Sequence, residues 1–597
     1  MGLVERAREE YRTITGVLRA LRLTVPIGRN PTHIFPDVLA ERAKSFGDKP
    51  ALTSARETLS YRELDARANR YARWALAQGI AKGEAVALLM PNRPDYVAVW
   101  AGICRAGGAV ALLNTNLSGE ALAHCVTIAE PRHVIVAAEL AEAYAAAAPL
   151  VKGEVRVWRH SGDESEDRID LALEGFSDAP LTDAEKVPLT IEDRALYIYT
   201  SGTTGMPKAA NINHYRLMAI SHGFCGVMGI EPDDRMYACL PMYHTSGGVI
   251  ACGAPLVAGA SVFIREKFSA RDFWREIVEN RSTLVMYIGE LCRYLLNTPE
   301  DPNETRHKVR LFCGNGLRPD IWRQFKTRFR IPRILEWYAA TEGNVALFNW
   351  SGREGAIGRI PWYLKSRFPV KVLRFDHDKE EPVRGADGLC VEAPPGEIGE
   401  LAGEIVNDPS KPASRFEGYA DKAATQKKVL EDVEKKGDRW FRTGDLVWTD
   451  AQGYFYFADR IGDTFRWKGE NVSTSQVAEA LTSAHGVQHA NVYGVEVPGA
   501  DGRAGMAALV VDKSFDLAEF ARVVDQRLPD YARPLFLRLT HDLDATGSFK
   551  PKKIELKAAG FDPDKVEDPL YFRSARDGYK PLDAETYKEI CAGKLLR

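Results

Sequence analysis

The sequence predicts an α/β protein with two parts. A large N-terminal domain of mainly parallel sheets with helices is followed by a small, mobile α+β C-terminal domain. Three observations predict this. From about residue 35 to 450, short apolar runs alternate with amphipathic stretches, and strand–helix alternation on that scale makes parallel sheets covered by helices. After residue 463 a fresh α/β pattern begins. A chain of 597 residues also exceeds what one compact core supports.

The elements follow in chain order. Residues 1–25, beginning MGLVERAREEYRTITG, carry both charge signs and no apolar h-region, so they do not read as a signal peptide. Arg6 stands where a myristoylation signal needs Ser or Thr. They read as a mixed-charge amphipathic helix, packed on the body of the protein or touching a membrane surface. EAVALLMP, HVIVAA, ALYIYT, SVFI, TLVMYI and VRLFC read as buried strands. ARDFWREIVENR and PDIWRQFKTRFR read as helices; Phe273, Trp274 and Ile277 share one face of the first, and Ser269 is placed to cap it.

From Met236 to Ile264 there is no formally charged residue. Pro241, Pro255 and several glycines break any long apolar helix there. The run therefore reads as a buried strand–helix–strand passage, suited to the wall of an apolar pocket. Residues 297–308 and 376–400 are loop-like by Pro, Gly and charge content. Residues 440–458 form an aromatic-rich hairpin turning at Asp450–Gly453. SQVAEALTSA and DLAEFARVVDQRL then read as helices, and VYGVEV and AALVVD as strands. The expected division is residues 1–459, a hinge at 460–463, and 464–597.

Composition narrows the function. The net charge of −3 gives no basic field for a nucleic-acid partner. Nine scattered cysteines without a CxxC pair read as thiols of a reducing compartment. His485 and His489 have i, i+4 spacing but no third ligand, which does not make a zinc site.

The strongest local signal is YTSGTTGMPKAA, Tyr199–Ala210, straight after a strand. Thr200, Ser201, Thr203 and Thr204 offer hydroxyls, Gly202 and Gly205 allow close backbone approach to an anion, and Lys208 adds positive charge. The spacing is not that of a Walker A loop. GNGL, Gly314–Leu317, opens like a dinucleotide fingerprint, but Pro319 occupies its last position and the fingerprint fails.

YTSGTTGMPKAA resembles the phosphate loop of the adenylate-forming (ANL) superfamily. Other motifs follow in that family's order. LPMYHTSG (240–247) looks like the motif whose histidine sits at the mouth of the acyl pocket, and CGNGLRPD (313–320) resembles the adenine-pocket segment. YAATEGN (338–344) resembles the motif that contacts the α-phosphate and magnesium, and FRTGDL (441–446) the ribose motif. DRIGDTFRWKGENVST (459–474) is similar to the hinge motif of very-long-chain acyl-CoA synthetases and fatty acid transport proteins, and the C-terminal tail is similar to that subgroup's. The resemblance spans nearly the whole chain and points to the bacterial long-chain fatty acid–CoA ligase type.

The resemblance implies residue roles. Glu342 would ligate Mg²⁺ and Thr341 meet the α-phosphate, while Tyr338 stacks on adenine beside the backbone of Gly314, Asn315 and Gly316. Asp445 would accept from the ribose hydroxyls with Arg460 in support, and His244 act as an aromatic gate near the acyl carboxylate. A lysine of the small domain would bridge carboxylate and α-phosphate: Lys550 in TGSFKPKK, with Lys552 and Lys553 as close alternatives. Lys468 and Gly469 would face a pantetheine tunnel after domain rotation. Ala339 replaces the more common Gly, and Gly462 replaces a charged hinge residue.

The implied reaction takes a long- or very-long-chain fatty acid, ATP with Mg²⁺ and coenzyme A to acyl-AMP and pyrophosphate, then to acyl-CoA and AMP. Two other readings stay open: an acyl-AMP ligase that loads a carrier protein, and a fatty-acid uptake or binding protein with secondary ligase activity. A cytoplasmic location is expected, with peripheral contact at the inner face of the membrane left open. Oligomeric state is open as well, a homodimer included.

Overall fold

The computed structural model describes residues 3–163, 167–200, 206–377, 379–406, 415–467, 470–498, 500, 502–541, 553–574, 578–592 and 594. Two large sheets carry the N-terminal domain. In the first, Arg156–His160, His133–Ala137, Ala85–Leu89, Ala109–Leu112 and Arg194–Thr200 run parallel in that spatial order, and Lys208–Asn213 closes the edge antiparallel. In the second, five parallel pairings join Ile334–Ala339, Leu311–Asn315, Leu284–Ile288, Arg235–Ala238, Ser261–Ile264 and Pro50–Thr53. Antiparallel strands Ala346–Asn349 and Thr58–Ser60 border it. Strand crossovers and their covering helices thus match the alternation in the sequence.

Local chemistry explains the boundaries. The helix Tyr61–Ala77 begins at a capping box, in which Ser60 Oγ accepts from the Glu63 N–H and Glu63 accepts from the Ser60 N–H at 2.8 Å. Trp74 in that helix and Trp100 in Pro94–Arg105 are almost fully buried in the core beside the first sheet. Trp274 and Trp322 anchor helices on the second. One expected cap differs. Ser269 donates to the Asp272 carboxylate at 2.8 Å and accepts from its N–H at 3.3 Å, so it closes the preceding turn and the helix is Phe273–Glu279.

The uncharged run folds as strand Arg235–Ala238, π-helix Ser246–Gly253, helix Ala254–Ala258 and strand Ser261–Ile264. A Cβ on Gly247 would lie 2.2 Å from the Pro241 carbonyl oxygen, so only glycine lets this helix press onto the preceding loop. A third, antiparallel sheet contains the predicted hairpin, Arg439–Thr449 and Tyr454–Arg460, with Asp450 Oδ1 accepting from Gln452 and Tyr454 N–H groups at the turn.

The smaller C-terminal domain has its own core, around the sheet Val487–Glu496, Arg503–Val511, Phe536–Thr540, Leu570–Ser574 and Gly578–Pro581. His489 lies in its first strand and His485 before it, so their spacing is not helical; His489 Nε2 instead sits 3.1 Å from Glu290 Oε1 of the N-terminal domain. The N-terminal helix Leu3–Arg29 packs on the helix His214–Met228, where Arg19 Nε donates to the Gly226 carbonyl at 3.0 Å.

Candidate active site

The YTSGTTGMPKAA segment leaves the first sheet at Thr200 and returns at Lys208, and the antiparallel register sets these two residues opposite each other. Ser201, Gly202, Thr203, Thr204 and Gly205 lie outside the described residues. Tyr419 ties the hairpin to the next motif. Its hydroxyl accepts from Thr200 and donates to Glu342 Oε1 at 2.5 Å, and Lys208 Nζ lies 5.5 Å from its ring centroid. Burial, then the adjacent Glu342 carboxylate, raises the Tyr419 pKa and keeps it a donor.

Glu342 is buried in the turn after strand Ile334–Ala339. That turn is clamped from behind by Arg216, in the first turn of helix His214–Met228. Its Nε donates to the Thr341 carbonyl at 2.8 Å, and Nη2 to the carbonyls of Ala340, at 3.0 Å, and Gly343. Desolvation draws the Arg216 pKa down, while Glu342 and Glu417 oppose it. Thr341 Oγ1 lies 3.2 Å from Thr245 Oγ1, which brings the residue after His244 against this turn. The His244 ring is tilted against Tyr243, with centroids 4.5 Å apart. Lys428 adds a second enclosed cation. Its Nζ donates to the Thr443 carbonyl at 3.0 Å; burial lowers its pKa against the attraction of Glu342, Asp445 and Glu400.

A second cluster lies beside the first. Tyr338 donates to Asp445 Oδ2 at 2.5 Å, and Arg460 Nε sits 3.4 Å from Asp445 Oδ1. Asp445 and Arg460 are cross-strand partners, so the hairpin itself sets this ion pair. The Gly314–Leu317 segment begins at the end of strand Leu311–Asn315. A Cβ on Gly289 would come within 1.7 Å of the Gly316 carbonyl oxygen, so backbone packs on backbone there. Beneath it Glu336 is buried, receiving the Leu317 N–H at 3.1 Å and the Tyr287 hydroxyl. Burial without a facing cation pushes the Glu336 carboxyl up to about 8, so it is mostly protonated at pH 7. Asn315 Oδ1 is buried without a hydrogen-bond partner among the described residues.

The structure thus brings together Thr200, Lys208, Thr341, Glu342, Tyr338, Asp445 and Arg460, with His244 one residue from the Thr245–Thr341 contact. Lys468, Gly469, Lys550 and Lys552 lie outside the described residues, as does the side chain of Lys553.

Comparison with known proteins gives the arrangement its family. The AMP-binding enzyme family matches residues 39–402, and the AMP-binding enzyme C-terminal domain matches residues 476–550. The chain is 40% identical to long-chain fatty acid transport protein 2 of Rattus norvegicus over 572 residues, 94% of this chain and 91% of that one. The chain belongs to the AMP-binding enzyme family. Within it, relatives matched along about nine-tenths of their length include long-chain fatty acid transport proteins. Its fold is similar to that of ATP-bound MatB from Rhodopseudomonas palustris, with a TM-score of 0.72, 27% identity, and 88% of this chain and 98% of that one covered. A Mycobacterium tuberculosis fatty acyl CoA synthetase shares the fold at a TM-score of 0.62 and 22% identity, with 88% and 98% covered.

Four residues of this cluster carry no motif signal in the sequence: Arg216, Glu336, Tyr419 and Lys428. Each lies outside the recognised motif positions or acts through backbone groups. The nearest signal was Arg216 itself, a cation three residues after Asn213, which ends a strand and caps the next helix.

Proposed function

We propose that this AMP-binding enzyme is an AMP-forming long-chain or very-long-chain fatty acid–CoA ligase. A fatty carboxylate is a poor electrophile because oxide is a poor leaving group. Attack of its oxygen on the α-phosphorus of ATP forms the acyl-AMP anhydride and expels pyrophosphate. Attack of the CoA thiolate on the acyl carbon then forms the thioester and expels AMP; the thiol proton goes to solvent.

The observation that carries this reading is the convergence at Glu342. The phosphate-loop ends, the Thr341–Glu342 turn and enclosed Lys428 meet around one buried carboxylate. In this reading the 200–205 loop and Lys208 hold the outer phosphates, and Thr341 positions the α-phosphate. A buried hard-oxygen carboxylate beside a threonine hydroxyl fits Mg²⁺, and Glu342 would hold it. Bound there, Mg²⁺ supplies charge neutralisation of the polyphosphate. Asp445 and Arg460 receive the ribose, Tyr338 and the Gly314–Gly316 backbone enclose adenine, and the Asn315 carbonyl offers an acceptor to its amino group. His244 lines the acyl mouth.

The remaining assignments rest on motif position. Residues 1–459 form the ATP and acyl platform and 464–597 the lid, turning about 460–463. Lys550 enters for the first step, and Lys468–Gly469 replace it for the second. The 236–264 passage, which contains the π-helix Ser246–Gly253, forms the wall of the acyl tunnel, where each buried methylene contributes about 0.8 kcal/mol. Pyrophosphate release measured across acids of graded length, with and without CoA, tests the reading. Activity should rise from acetate to palmitate, and acyl-CoA should form only with CoA present. Equal turnover of acetate and palmitate would refute the long-chain assignment; acyl-AMP without thioester would point to a carrier-protein acceptor.

A further inference from the structure

Among the described residues, eleven large hydrophobic side chains are exposed, and seven of them belong to two elements that touch. Five lie on the N-terminal helix Leu3–Arg29: Val4, Tyr11, Ile14, Leu18 and Val25. Val4, Tyr11, Leu18 and Val25 recur every seven residues, and Ile14 falls between them, so they form one stripe. The other two, Trp362 and Tyr363, open the short 3-10 helix Trp362–Arg367. Glu10 joins the elements: it receives the Tyr363 hydroxyl at 2.5 Å and Arg359 Nη2 at 2.6 Å.

This stripe is the second apolar face of the helix. The first, including Val17 and Ile27, is buried against the protein body. Burial therefore accounts for the helix docking and leaves the outer stripe unexplained. Leu18 is 60% exposed and Trp362 83% exposed, values that cost solvation without any return inside this chain.

Charge decides the partner. Arg8, Arg12, Arg22 and Arg29 are exposed on the helix, and Lys365 and Arg367 on the 3-10 helix. The helix acids Glu9 and Glu10 are turned inward to Tyr454, at 3.2 Å, and to Arg359 and Tyr363. The described outward surface is thus an apolar stripe with an aromatic end and a cationic border. Two copies meeting face to face would set those cations against one another. An anionic lipid surface offsets them, and no described helix is long and apolar enough to cross a membrane.

We propose that the outer stripe of Leu3–Arg29, together with Trp362, is an interfacial docking face for anionic phospholipid bilayers. The helix lies in the plane of the headgroups, and the Trp362 indole enters the interface. The same helix backs on His214–Met228, which in turn contacts the π-helix Ser246–Gly253. The docking helix is therefore separated from the proposed acyl wall by one helix.

Sedimentation of the full chain with vesicles, without ATP, tests the proposal. Vesicles of phosphatidylcholine alone are compared with phosphatidylcholine plus phosphatidylglycerol, at low and high salt. The protein should sediment with the anionic vesicles, and binding should fall about tenfold or more in L18S/W362S. High salt or R8E/R22E should weaken it similarly. These side chains are exposed, so melting temperature and turnover of a short, soluble acid should stay at wild-type levels. No sedimentation with anionic vesicles, or equal sedimentation of L18S/W362S, would overturn the proposal. So would self-association abolished by L18S without vesicle binding. Any of these results leaves the ligase reading untouched, because pyrophosphate release is measured separately.

Discussion

The turn Ala340–Gly343 and the connection Arg460–Thr464 border the same site and are held in opposite ways. Three carbonyls of the turn receive one guanidinium, Glu342 receives Tyr419, and Thr341 meets Thr245. The connection is anchored at its edge, where Asp459 accepts from the Thr474 N–H at 2.7 Å. Within it Gly462 has φ of +86°, and a Cβ there would find no atom within 4 Å. Lys557 bonds its carbonyl at 3.3 Å. In the proposed reading, charge that awaits a polyphosphate is preorganised by enclosed groups, whereas the connection around Gly462 has room to change its dihedrals.

The largest expected effect breaks the clamped side. Arg216→Ala leaves enclosed carbonyls without donors and removes a cation facing Glu342, at a cost of about 2–3 kcal/mol in stability. Adenylate formation should fall about 100-fold or more, as when a preorganised electrostatic group is lost. Denaturant melting together with pyrophosphate release checks both; an unchanged melting midpoint would show that the clamp is dispensable.

The loose side should respond more weakly and differently. Gly462→Val forces a β-branched residue into left-handed space at about 1–2 kcal/mol, roughly tenfold in a rate if the strain is met while the domains turn. Thioester formation should slow more than adenylation, read by comparing single-turnover acyl-AMP and acyl-CoA. Equal slowing of both steps would contradict a hinge role.

Much of this architecture was legible because its signals are contiguous. Apolar runs marked the parallel strands, and the hairpin at Asp450–Gly453 carried its turn residues in sequence. The segments Tyr199–Ala210 and Tyr338–Asn344 stood out in the sequence for the same reason. Arg216 was not, because its partners are carbonyls more than 120 positions away, and carbonyls have no residue identity. Tyr419 meets Glu342 across 77 positions, and Glu336 meets Tyr287 across 49. The π-helix was hidden too: Gly247 and Gly248 press there on the backbone of Pro241 and Met242, a contact with carbonyls rather than side chains. Ser269 was assigned to the wrong turn because Asp272 competes for it.

The smallest effect concerns Glu336. Its carboxyl is raised to about 8 in the folded protein from an ordinary 4.5. The folded state therefore retains a proton that the unfolded state has released, and stability falls as pH rises toward and through 8. Between pH 7 and 9 the loss is about 1 kcal/mol. Glu336→Gln imitates the protonated acid and should remove that slope; a wild-type melting temperature with no extra fall over this interval would contradict the assignment.

The central claim is tested most directly by incubating the purified full chain with ATP, Mg²⁺, palmitate and CoA and measuring both products by mass spectrometry. The account predicts palmitoyl-CoA and AMP in equal amounts, dependent on all three substrates. Palmitate and ATP recovered unchanged, with no AMP and no thioester, would contradict it.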